Sequence, residues 1–561
     1  MSHFALLPGA LEAALLDTTR TLGELHFHTA LQTRDLDVWS SDEDIRTRIA
    51  NRLGWVEAVD FARGELPRLQ ACAEMVRDGG FTDVVLLGMG GSSLGPEVLR
   101  QVIGVADGFP RFRMLDSVDP DTVRDAMSAA PTSLFVFASK SGGTIEPNAM
   151  AAEARRRVEE AGFSDWGSRF VAITDEGTAL HRLAQEQRFR EIYVNPSNIG
   201  GRYSALSFFG MVPAAMMGID VAGVLERAAA MADQCFMPDM TANPGLALGA
   251  LMAAGAKHGR DKLTLLLPPR LSSFGLWVEQ LVAESTGKQG KGVVPITGEP
   301  ADAAAGDDRI VVAVHLPDEP ADAPMDAARR EALRAAGTPM LDIDMPDALS
   351  LGAEFFRWEV ATAAAGRLLD INPFDEPNVQ QAKDATRVLL DAFKAQRRLP
   401  FPEPHASVGG ARFTMSAAAQ EAAAHAGVAG FLRSVKKGDY LALLAYLPSH
   451  DAAIAQQLAS ARASLGTRAG CPTIFGYGPR YLHSTGQLHK GGANTGIFII
   501  VMAPPAEDLA IPGEPFSFGT LEQAQGLGDF QSLERTGRRA LLIQLPSREP
   551  QAIARAFAAL S

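Results

Sequence analysis

The sequence predicts an α/β protein made of three successive α/β units behind a helical N-terminal segment. Short runs that are apolar at nearly every position recur along the chain, with helical patterns between them, and the alternation restarts twice. Strands that are apolar on both faces are typical of parallel sheets covered by helices on each side. The 561 residues are enough for about three or four domains.

The N-terminal segment, residues 1–80, is predicted to be helical. Apolar residues fall at helical spacing in two places, first at Leu11, Ala14 and Leu15 and then at Val56 and Val59. We see no strand-like run before residue 80. The sheet-forming part of the chain is therefore expected to begin near residue 81.

Three units follow, over residues 81–230, 231–400 and 401–561. The predicted strands are 84–87, 112–115, 134–137, 170–173, 263–267, 310–314, 340–343, 440–446, 472–475, 496–502 and 540–544. The predicted helices between them include 96–102, 147–161, 274–284, 325–336, 353–369 and 379–398. Residues 297–308 and the proline-rich residues 399–404 are predicted to be loops or boundaries.

Composition excludes several classes of function. The formal net charge of −14 repels nucleic acid and anionic lipid, so neither is an expected partner. No apolar run reaches the roughly 18 residues of a membrane helix, and residues 1–4 do not begin a signal peptide. Cys72, Cys235 and Cys471 are too far apart for a metal knuckle. A reduced, cytoplasmic location is expected.

Two loops rich in Gly and Ser, residues 88–96 and 139–144, each follow a predicted strand and open a helix. A helix N-terminus offers free N–H groups and the positive end of the helix dipole, so such loops bind anions readily. Lys140 would add a full charge to the second loop. Plain turns with Ser caps are the alternative, but two such loops, one with a lysine, favour a phosphate site.

The known nucleotide-binding motifs fit these loops less well than a simple phosphate site does. A dinucleotide fingerprint needs a third glycine where this chain has Ser93, although Asp116 is placed to bind a ribose. That interpretation, a nicotinamide-dependent dehydrogenase, leaves the second loop unexplained. A P-loop is excluded because Lys288 is followed by Gln289. A small phosphorylated metabolite is therefore the favoured ligand.

Two charged residues have the surroundings that proton-transfer chemistry requires. Arg202 follows paired glycines in a loop, where a permanently charged guanidinium can approach a ligand oxygen. Glu284 ends an apolar helix, which would desolvate the carboxylate and tune it as a carbon base. Taken singly, Arg202 could equally form a structural ion pair and Glu284 could be a solvated helix end. Lys383 alone is an ordinary surface lysine.

Five motifs stand in a fixed order along the chain, at residues 88–96, 139–144, 200–204, 283–288 and 372–383. Together they resemble the glucose-6-phosphate isomerases, which are built from two sugar-isomerase (SIS) domains. The resemblance covers roughly residues 80–400. It implies two doubly wound, parallel-sheet SIS-type domains, followed by a C-terminal α/β domain.

The C-terminal unit carries a further resemblance. Residues 476–492 look like part of the isomerase half of the bifunctional transaldolase/glucose-6-phosphate isomerases, so residues 401–561 would be the extra domain of that branch. The roughly 80 residues ahead of the first strand are too few for a transaldolase barrel of about 250 residues. A fused transaldolase activity is not expected.

The resemblance implies an isomerase of glycolysis and gluconeogenesis that interconverts D-glucose 6-phosphate and D-fructose 6-phosphate through a cis-enediol(ate). It implies no metal and no organic cofactor, a sugar phosphate as the small-molecule partner, and a homodimer. A non-catalytic SIS-type sensor of sugar phosphates is the alternative. A sensor would keep residues 139–144 but would not need Glu284 beside Arg202.

The resemblance also implies roles for individual residues. Glu284 would move the proton between C1 and C2, Arg202 would stabilise the enediolate, and Lys383 would assist near the ring oxygen or C1. The expected substrate-binding residues are Gly90, Gly91, Ser92 and Gly201 around the sugar, and Ser139, Lys140, Ser141 and Thr144 around the phosphate.

The sequence departs from the family pattern at two positions. Glu376 stands where many family members have glutamine, so its expected role in substrate binding is open. The ring-opening histidine has no secure counterpart, because the predicted helix at 325–336 contains none. His489 is the candidate we select, with His315 as a weaker one. A histidine of a partner subunit, or spontaneous opening of the sugar, would be alternatives.

Overall fold

The three predicted sheets are all present, each with a parallel core. The structure is a computed structural model that describes residues 3–240, 242–300, 303, 306–317 and 324–560. The predicted α/β class is confirmed. The boundaries proposed at residues 80, 230 and 400 stay a prediction. The predicted loop at 297–308 falls partly outside the described residues.

The strands within the described residues have the following bounds. They are β1 His3–Leu7, β2 Asp83–Leu87, β3 Arg111–Leu115, β4 Ser133–Ala138, β5 Phe170–Asp175, β6 Glu191–Asn195, β7 Lys262–Leu266, β8 Val294–Ile296, β9 Arg309–His315, β10 Met340–Asp344, β11 Ala406–Val408, β12 Ala411–Met415, β13 Tyr440–Tyr446, β14 Thr473–Tyr477, β15 Gly496–Met502 and β16 Arg539–Gln544.

The α-helices of the described residues surround these strands. They are α1 Glu12–Glu24, α2 Phe27–Gln32, α3 Glu43–Ala50, α4 Ala58–Gly64, α5 Leu66–Asp78, α6 Leu94–Val102, α7 Pro120–Ala126, α8 Ile145–Glu160, α9 Ala179–Glu186, α10 Phe208–Met216, α11 Val221–Cys235, α12 Pro244–Lys257, α13 Ser272–Thr286, α14 Pro324–Ala335, α15 Leu351–Leu368, α16 Val379–Gln396, α17 Ala417–Ala423, α18 Ala452–Ala469, α19 Gly486–Gly491, α20 Phe518–Arg535 and α21 Pro550–Ala558.

The first sheet positions both Gly/Ser loops. Its five strands are parallel and stand in the order β3-β2-β4-β5-β6. The strand order reverses between β2 and β4, and ligands of open α/β sheets bind in the crevice at such a point, beyond the carboxyl ends of the strands. The loops at 88–93 and 139–144 follow these two strands. The sheet therefore brings the two loops to one crevice.

The second sheet, in the order β1-β10-β9-β7-β8, corrects the interpretation of residues 1–80. The expectation of no strand there was wrong, because His3–Leu7 forms β1 and pairs antiparallel to β10 at the sheet edge. This strand is only five residues long and partly exposed, so it lacks the continuous apolar pattern of a central strand. The short strand β8 was also missed. Helix α13 follows β7 and carries Glu284 near its end.

The third sheet, in the order β11-β12-β16-β15-β13-β14, is mixed. Four strands are parallel, whereas β11 and β12 form an antiparallel hairpin that the sequence analysis missed. Two ion pairs of Arg548, to Asp119 and Asp121 at the start of α7, join this part of the chain to the first unit, and a third, to Glu522, lies within the C-terminal unit. Arg548 contacts Asp119 at 2.5 Å, Asp121 at 3.0 Å and Glu522 at 2.9 Å. The C-terminal unit is therefore fixed beside the crevice of the first sheet.

Within the described residues, we find no helix that combines the length and the apolar character needed to cross a membrane.

Candidate active site

Glu284 lies on the last two turns of α13 and is largely buried. One turn earlier on the same helix, the amide of Gln280 donates to Glu284 Oε2 at 3.2 Å and to the main-chain oxygen of His483 at 2.7 Å. The other carboxylate oxygen, Oε1, lies 3.4 Å from Arg202 Nη1. The structure thus places the predicted base beside the predicted cation, although 82 residues separate them in the sequence.

Arg202 is buried in a short 3-10 helix, Gly201–Tyr203, and its guanidinium is held on every side. Nε donates to Ser285 Oγ at 2.7 Å, and Nη2 donates to the main-chain oxygens of Pro373 and Asp375 at 2.8 and 3.0 Å. Nη1 donates to Glu376 Oε2 at 3.0 Å. A planar fork held this firmly keeps its charge at one place next to Glu284.

Glycines bring the first loop against the Arg202 loop. A Cβ on Gly91 would stand 1.9 Å from the oxygen of Gly201, so no larger residue fits there. The hydroxyl of Ser204 donates to the main-chain oxygens of Gly201 and Gly91, at 2.6 and 3.3 Å. A Cβ on Gly201 itself would have no described atom within 4 Å, which leaves open space at that backbone.

The second loop has the form of an anion site at the start of α8. The main-chain N–H of Gly142 donates to Ser139 Oγ at 3.2 Å, and that of Gly143 donates to Ser141 Oγ at 3.3 Å. Thr144 occupies the N-cap position without using its hydroxyl to cap the helix. The first N–H groups of α8 therefore point out of the helix end, as an anion-binding loop requires.

Lys140 is engaged with the protein. Its Nζ lies 2.5 Å from Asp175 Oδ2 and donates to the main-chain oxygen of Ser197 at 2.7 Å. Much of its charge is therefore balanced by Asp175. Its role as a phosphate ligand stays a prediction, and its observed contact joins the second loop to residues 196–200.

Glu376 and Lys288 complete the buried ionic cluster around Arg202. Lys288 Nζ donates to the main-chain oxygen of Asn372 at 2.8 Å and to Asp375 Oδ1 at 2.8 Å. Burial, with Arg202 nearby, lowers the pKa of Lys288 to about 8. Lys288 therefore fixes the loop that places Glu376 against Arg202.

His483 is a site residue that the sequence analysis passed over. Its Nε2 lies 2.9 Å from Glu146 Oε1, on the first turn of α8, and Gln525 Nε2 donates to the same oxygen at 2.6 Å. Gly90, with φ +56°, packs directly on it, since a Cβ there would stand 3.0 Å from His483 Cβ. The sequence does carry a signal for His483, because this residue belongs to the stretch 476–492 that resembles the isomerase half of the fused enzymes.

His489, the candidate selected from the sequence, lies elsewhere. Its ring is fully buried between Tyr481 and Phe498, with centroids 6.0 and 5.0 Å away. Neither ring nitrogen has a hydrogen-bond partner among the described residues. Burial lowers its pKa well below the usual range. The structure therefore does not place His489 at the site, and His483 is the histidine of this stretch that lies beside it. His315 lies at the end of β9, near Asp342.

Burial and ion pairing set the charges of the carboxyl groups. Burial raises the pKa of Glu284, an effect that Arg202 opposes and the neighbouring Glu376 reinforces. Burial also acts on Glu376, but Arg202 outweighs it and lowers the pKa of that carboxyl. For Glu146, burial is outweighed by His483, so its pKa is lowered as well. Of these three carboxyl groups, Glu284 is therefore the one whose pKa is raised, which is the direction of tuning that suits a general base.

A cavity of about 320 Å³ opens beside this cluster. Its wall includes residues 143–146, His483 and Lys383, together with other residues of α16. Lys383 is exposed on α16. The structure thus brings Lys383 to the same wall as the second loop and His483, and its role at the sugar stays a prediction.

No group of three or more His, Cys, Asp or Glu side chains in the described part of the chain is arranged to hold a metal ion.

Comparison with known proteins gives a consistent family. The family model described as phosphoglucose isomerase matches residues 66–305. A Haloarcula marismortui protein named "Probable glucose-6-phosphate isomerase" is 33% identical over 346 residues, which are 55% of this chain and 78% of that protein. A Synechococcus sp. (strain CC9902) glucose-6-phosphate isomerase is 30% identical over 62% of this chain and 72% of that protein.

A solved structure shares the fold. The crystal structure of a glucose-6-phosphate isomerase from Chlamydia trachomatis superposes with a TM-score of 0.56 and 20% identity, over 72% of this chain and 90% of that chain. The shared architecture is that of the SIS-type phosphosugar isomerases.

Proposed function

The chain belongs to the phosphoglucose isomerase family, and we propose that it interconverts glucose 6-phosphate and fructose 6-phosphate at the site formed by Glu284, Arg202 and His483. The observation that carries the proposal is the 3.4 Å approach of Arg202 Nη1 to Glu284 Oε1 in a buried place. A sugar-phosphate sensor needs an anion loop but no such pair. A carbon base beside a fixed cation is what an enediol isomerisation requires.

Ring opening is the first step for glucose 6-phosphate. An ionised Glu146 can only accept a hydrogen bond, so His483 Nε2 must carry the proton of their 2.9 Å contact. In the neutral form of the imidazole, Nδ1 of His483 then holds the lone pair. It takes the proton of the C1 hydroxyl while the Lys383 ammonium gives one to the ring oxygen, and the C1–O5 bond breaks to give the open-chain aldehyde.

Proton transfer between the carbons follows. Glu284 removes the proton from C2, and negative charge develops on the carbonyl oxygen as the enediolate forms. Arg202, always charged and already held by Ser285 and the main chain, stabilises that charge without reorganising. A proton passes from O2 to O1 of the cis-enediolate and Glu284 returns its proton to C1, which leaves a carbonyl at C2 and gives the ketose.

The remaining residues bind the substrate. Ser139, Ser141 and Thr144, with the N-terminus of α8, would hold the phosphate. The backbones of Gly90, Gly91 and Gly201, together with Ser92, would line the sugar. Lys383, on the wall of the cavity, would contact O1 or the ring oxygen.

We further propose a place and state for the protein. A cytoplasmic location and a homodimer fit the family. The C-terminal residues, with His483 among them, would be the counterpart of the extra domain in the isomerase half of the transaldolase fusions. Because His483 reaches the site within one chain, a dimer would not be needed to supply the histidine.

Turnover by the purified chain tests the proposal. Fructose 6-phosphate is supplied in the presence of EDTA, and the glucose 6-phosphate formed is measured through NADP reduction by a glucose-6-phosphate dehydrogenase. We expect turnover without added metal. Saturable binding of fructose 6-phosphate with no turnover would favour the sensor instead.

Replacing His483 by Asn should lower kcat/KM for glucose 6-phosphate by on the order of 10²-fold, because general acid–base help in ring opening is lost. Spontaneous opening of the sugar would set the remaining rate. The measurement is the initial rate with freshly dissolved, cyclic substrate. His450→Asn is the matched control, since His450 is an exposed histidine of the same C-terminal unit. Equal rates for the two variants would contradict the assignment.

Replacing Glu376 by Gln should shift the acid limb of the pH–rate profile to lower pH. The Glu376 carboxylate raises the pKa of Glu284, so its removal lowers that pKa, and the basic form of Glu284 then persists in more acidic solution. The measurement is kcat/KM from about pH 5 to pH 8. An unmoved limb, or one shifted to higher pH, would show that Glu376 does not act on the base.

A further inference from the structure

The two cations at the centre of the proposed site, Arg202 and Lys140, are balanced by carboxylates before any substrate binds. Four carboxylates surround the site: Glu146, Asp175, Glu284 and Glu376. Lys288 is paired with Asp375, and Lys383, on the cavity wall, is assigned to O1 or the ring oxygen rather than to the phosphate. A sugar phosphate brings up to two further negative charges. The phosphate therefore needs a cation that the carboxylates have not already taken.

Arg52 is placed to be that cation, although it lies far from the five motifs in the sequence. The backbone around it is docked onto residues 196–200, since Leu53 forms an antiparallel bridge with Ile199 and the N–H of Gly54 donates to the oxygen of Asn198 at 3.0 Å. The docking is close, because a Cβ on Gly54 would stand 2.2 Å from Asn198 Oδ1. The N-terminal segment thereby holds Arg52 at the edge of the site.

The side chain of Arg52 runs along this loop towards the site. Its Cδ lies 3.5 Å from where a Cβ on Gly200 would stand, two residues before Arg202. The loop it follows is the one whose Ser197 oxygen accepts from Lys140 of the second Gly/Ser loop. Arg52 thus lies between the proposed phosphate loop and the Arg202 cluster.

The guanidinium of Arg52 is half-buried and is not committed to a carboxylate. Its described hydrogen bond goes from Nη1 to the oxygen of the adjacent Asn51, at 2.9 Å. No carboxylate of the described residues lies within 4 Å of it. The charge of Arg52 is nevertheless close enough to act electrostatically on a carboxylate of the site, Asp175. Burial raises the pKa of Asp175, and Lys140 and Arg52 both oppose that rise.

We propose that Arg52 is a substrate-binding residue, which pairs with the phosphate held at residues 139–144 and so gives the N-terminal segment a part in the site. The proposal rests on the proposed function, whose substrate carries that phosphate. A guanidinium matches a phosphate in geometry and forms paired, charge-assisted hydrogen bonds with it. Because the phosphate does not react, the contact should serve binding and leave the chemical step unchanged.

The test compares Arg52→Ala with wild type and with Arg52→Lys. We expect KM for fructose 6-phosphate to rise on the order of 10- to 100-fold in Arg52→Ala, as for loss of a charge-assisted hydrogen bond, while kcat changes by less than about threefold. Arg52→Lys should recover part of the loss. Arg48→Ala is the matched control, because Arg48 is exposed on α3, four residues away.

Inorganic phosphate gives a readout that does not depend on turnover. Its dissociation constant, measured by titration calorimetry, should rise in Arg52→Ala and stay unchanged in Arg48→Ala. Unchanged phosphate affinity, or a fall in kcat with KM unaltered, would overturn the role of Arg52. Wild type that binds phosphate through Arg52 but does not isomerise would instead overturn the proposed function and leave the role of Arg52 standing.

Discussion

The Glu284→Gln variant is expected to lose on the order of 10²- to 10⁴-fold in kcat for conversion of fructose 6-phosphate, with KM close to that of wild type. The amide keeps the size of the side chain and can still accept from Gln280, but it cannot take a proton from carbon. The pKa of Glu284 is raised by burial, which places the lost group nearer to the working pH than an exposed carboxylate would be. Steady-state kinetics measure the effect.

Glu279→Gln is the matched control for that variant. Glu279 lies on the same helix, is also buried, and has its pKa raised to about 8 by burial, so its neutral form resembles glutamine. It forms no ion pair with Arg202 among the described contacts. We expect kcat within a few-fold of wild type. Equal losses in Glu279→Gln and Glu284→Gln would mean that the damage is structural rather than loss of the base.

Replacing Arg202 by Gln should lower kcat by on the order of 10²- to 10³-fold, the range found when a donor to a developing oxyanion is removed. The same replacement should also shift the pH dependence of kcat/KM in a definite direction. Arg202 lowers the pKa of Glu284, so its loss raises that pKa and moves the acid limb of kcat/KM to higher pH. Rates measured between about pH 5 and pH 9 report both effects.

Arg202→Lys separates charge from geometry. The lysine keeps a cation near Glu284 but cannot reproduce the fork that also holds Ser285 and the main chain of Pro373 and Asp375. We expect Arg202→Lys to return the acid limb of kcat/KM most of the way to its wild-type pH, but to restore only part of kcat. If Arg202→Gln kept full kcat while remaining folded, stabilisation of the enediolate by Arg202 would be ruled out.

Much of the fold was predictable because its central strands are buried on both faces. The runs at 84–87, 134–137 and 496–502 are apolar throughout, and each is a strand. The strands that escaped prediction are short or lie at sheet edges, such as β1 and β11. An edge strand buries little surface, so its sequence carries little of the pattern that identifies a strand.

Residues of the candidate site could be predicted where they belong to a recognisable local motif. Glu284 and Arg202 were selected from separate segments, and the structure brings them together. The histidine of the proposed site could not be selected in the same way. The stretch 476–492 holds both His483 and His489, and their spacing alone does not say which ring faces the site and which is buried in the core. The structure separates them by environment, a carboxylate at 2.9 Å for His483 and two aromatic rings for His489.

Arg52 could not be identified from the sequence, since nothing near it resembles a ligand motif. Its place depends on a single antiparallel bridge between Leu53 and Ile199, more than a hundred residues apart. Contacts of this kind are set by tertiary packing rather than by local pattern. Such contacts can therefore be identified only from the folded structure.

Isomerisation in D₂O, followed by proton NMR, tests the central claim most directly. A proton moved by a carboxylate base is partly exchanged with solvent on the enzyme, so the account predicts that wild type converts fructose 6-phosphate to glucose 6-phosphate carrying deuterium at C2. The Glu284→Gln variant should show neither conversion nor exchange over the same period. Wild-type enzyme that binds fructose 6-phosphate yet leaves it unconverted, or a Glu284→Gln variant that still exchanges at the wild-type rate, would contradict the account.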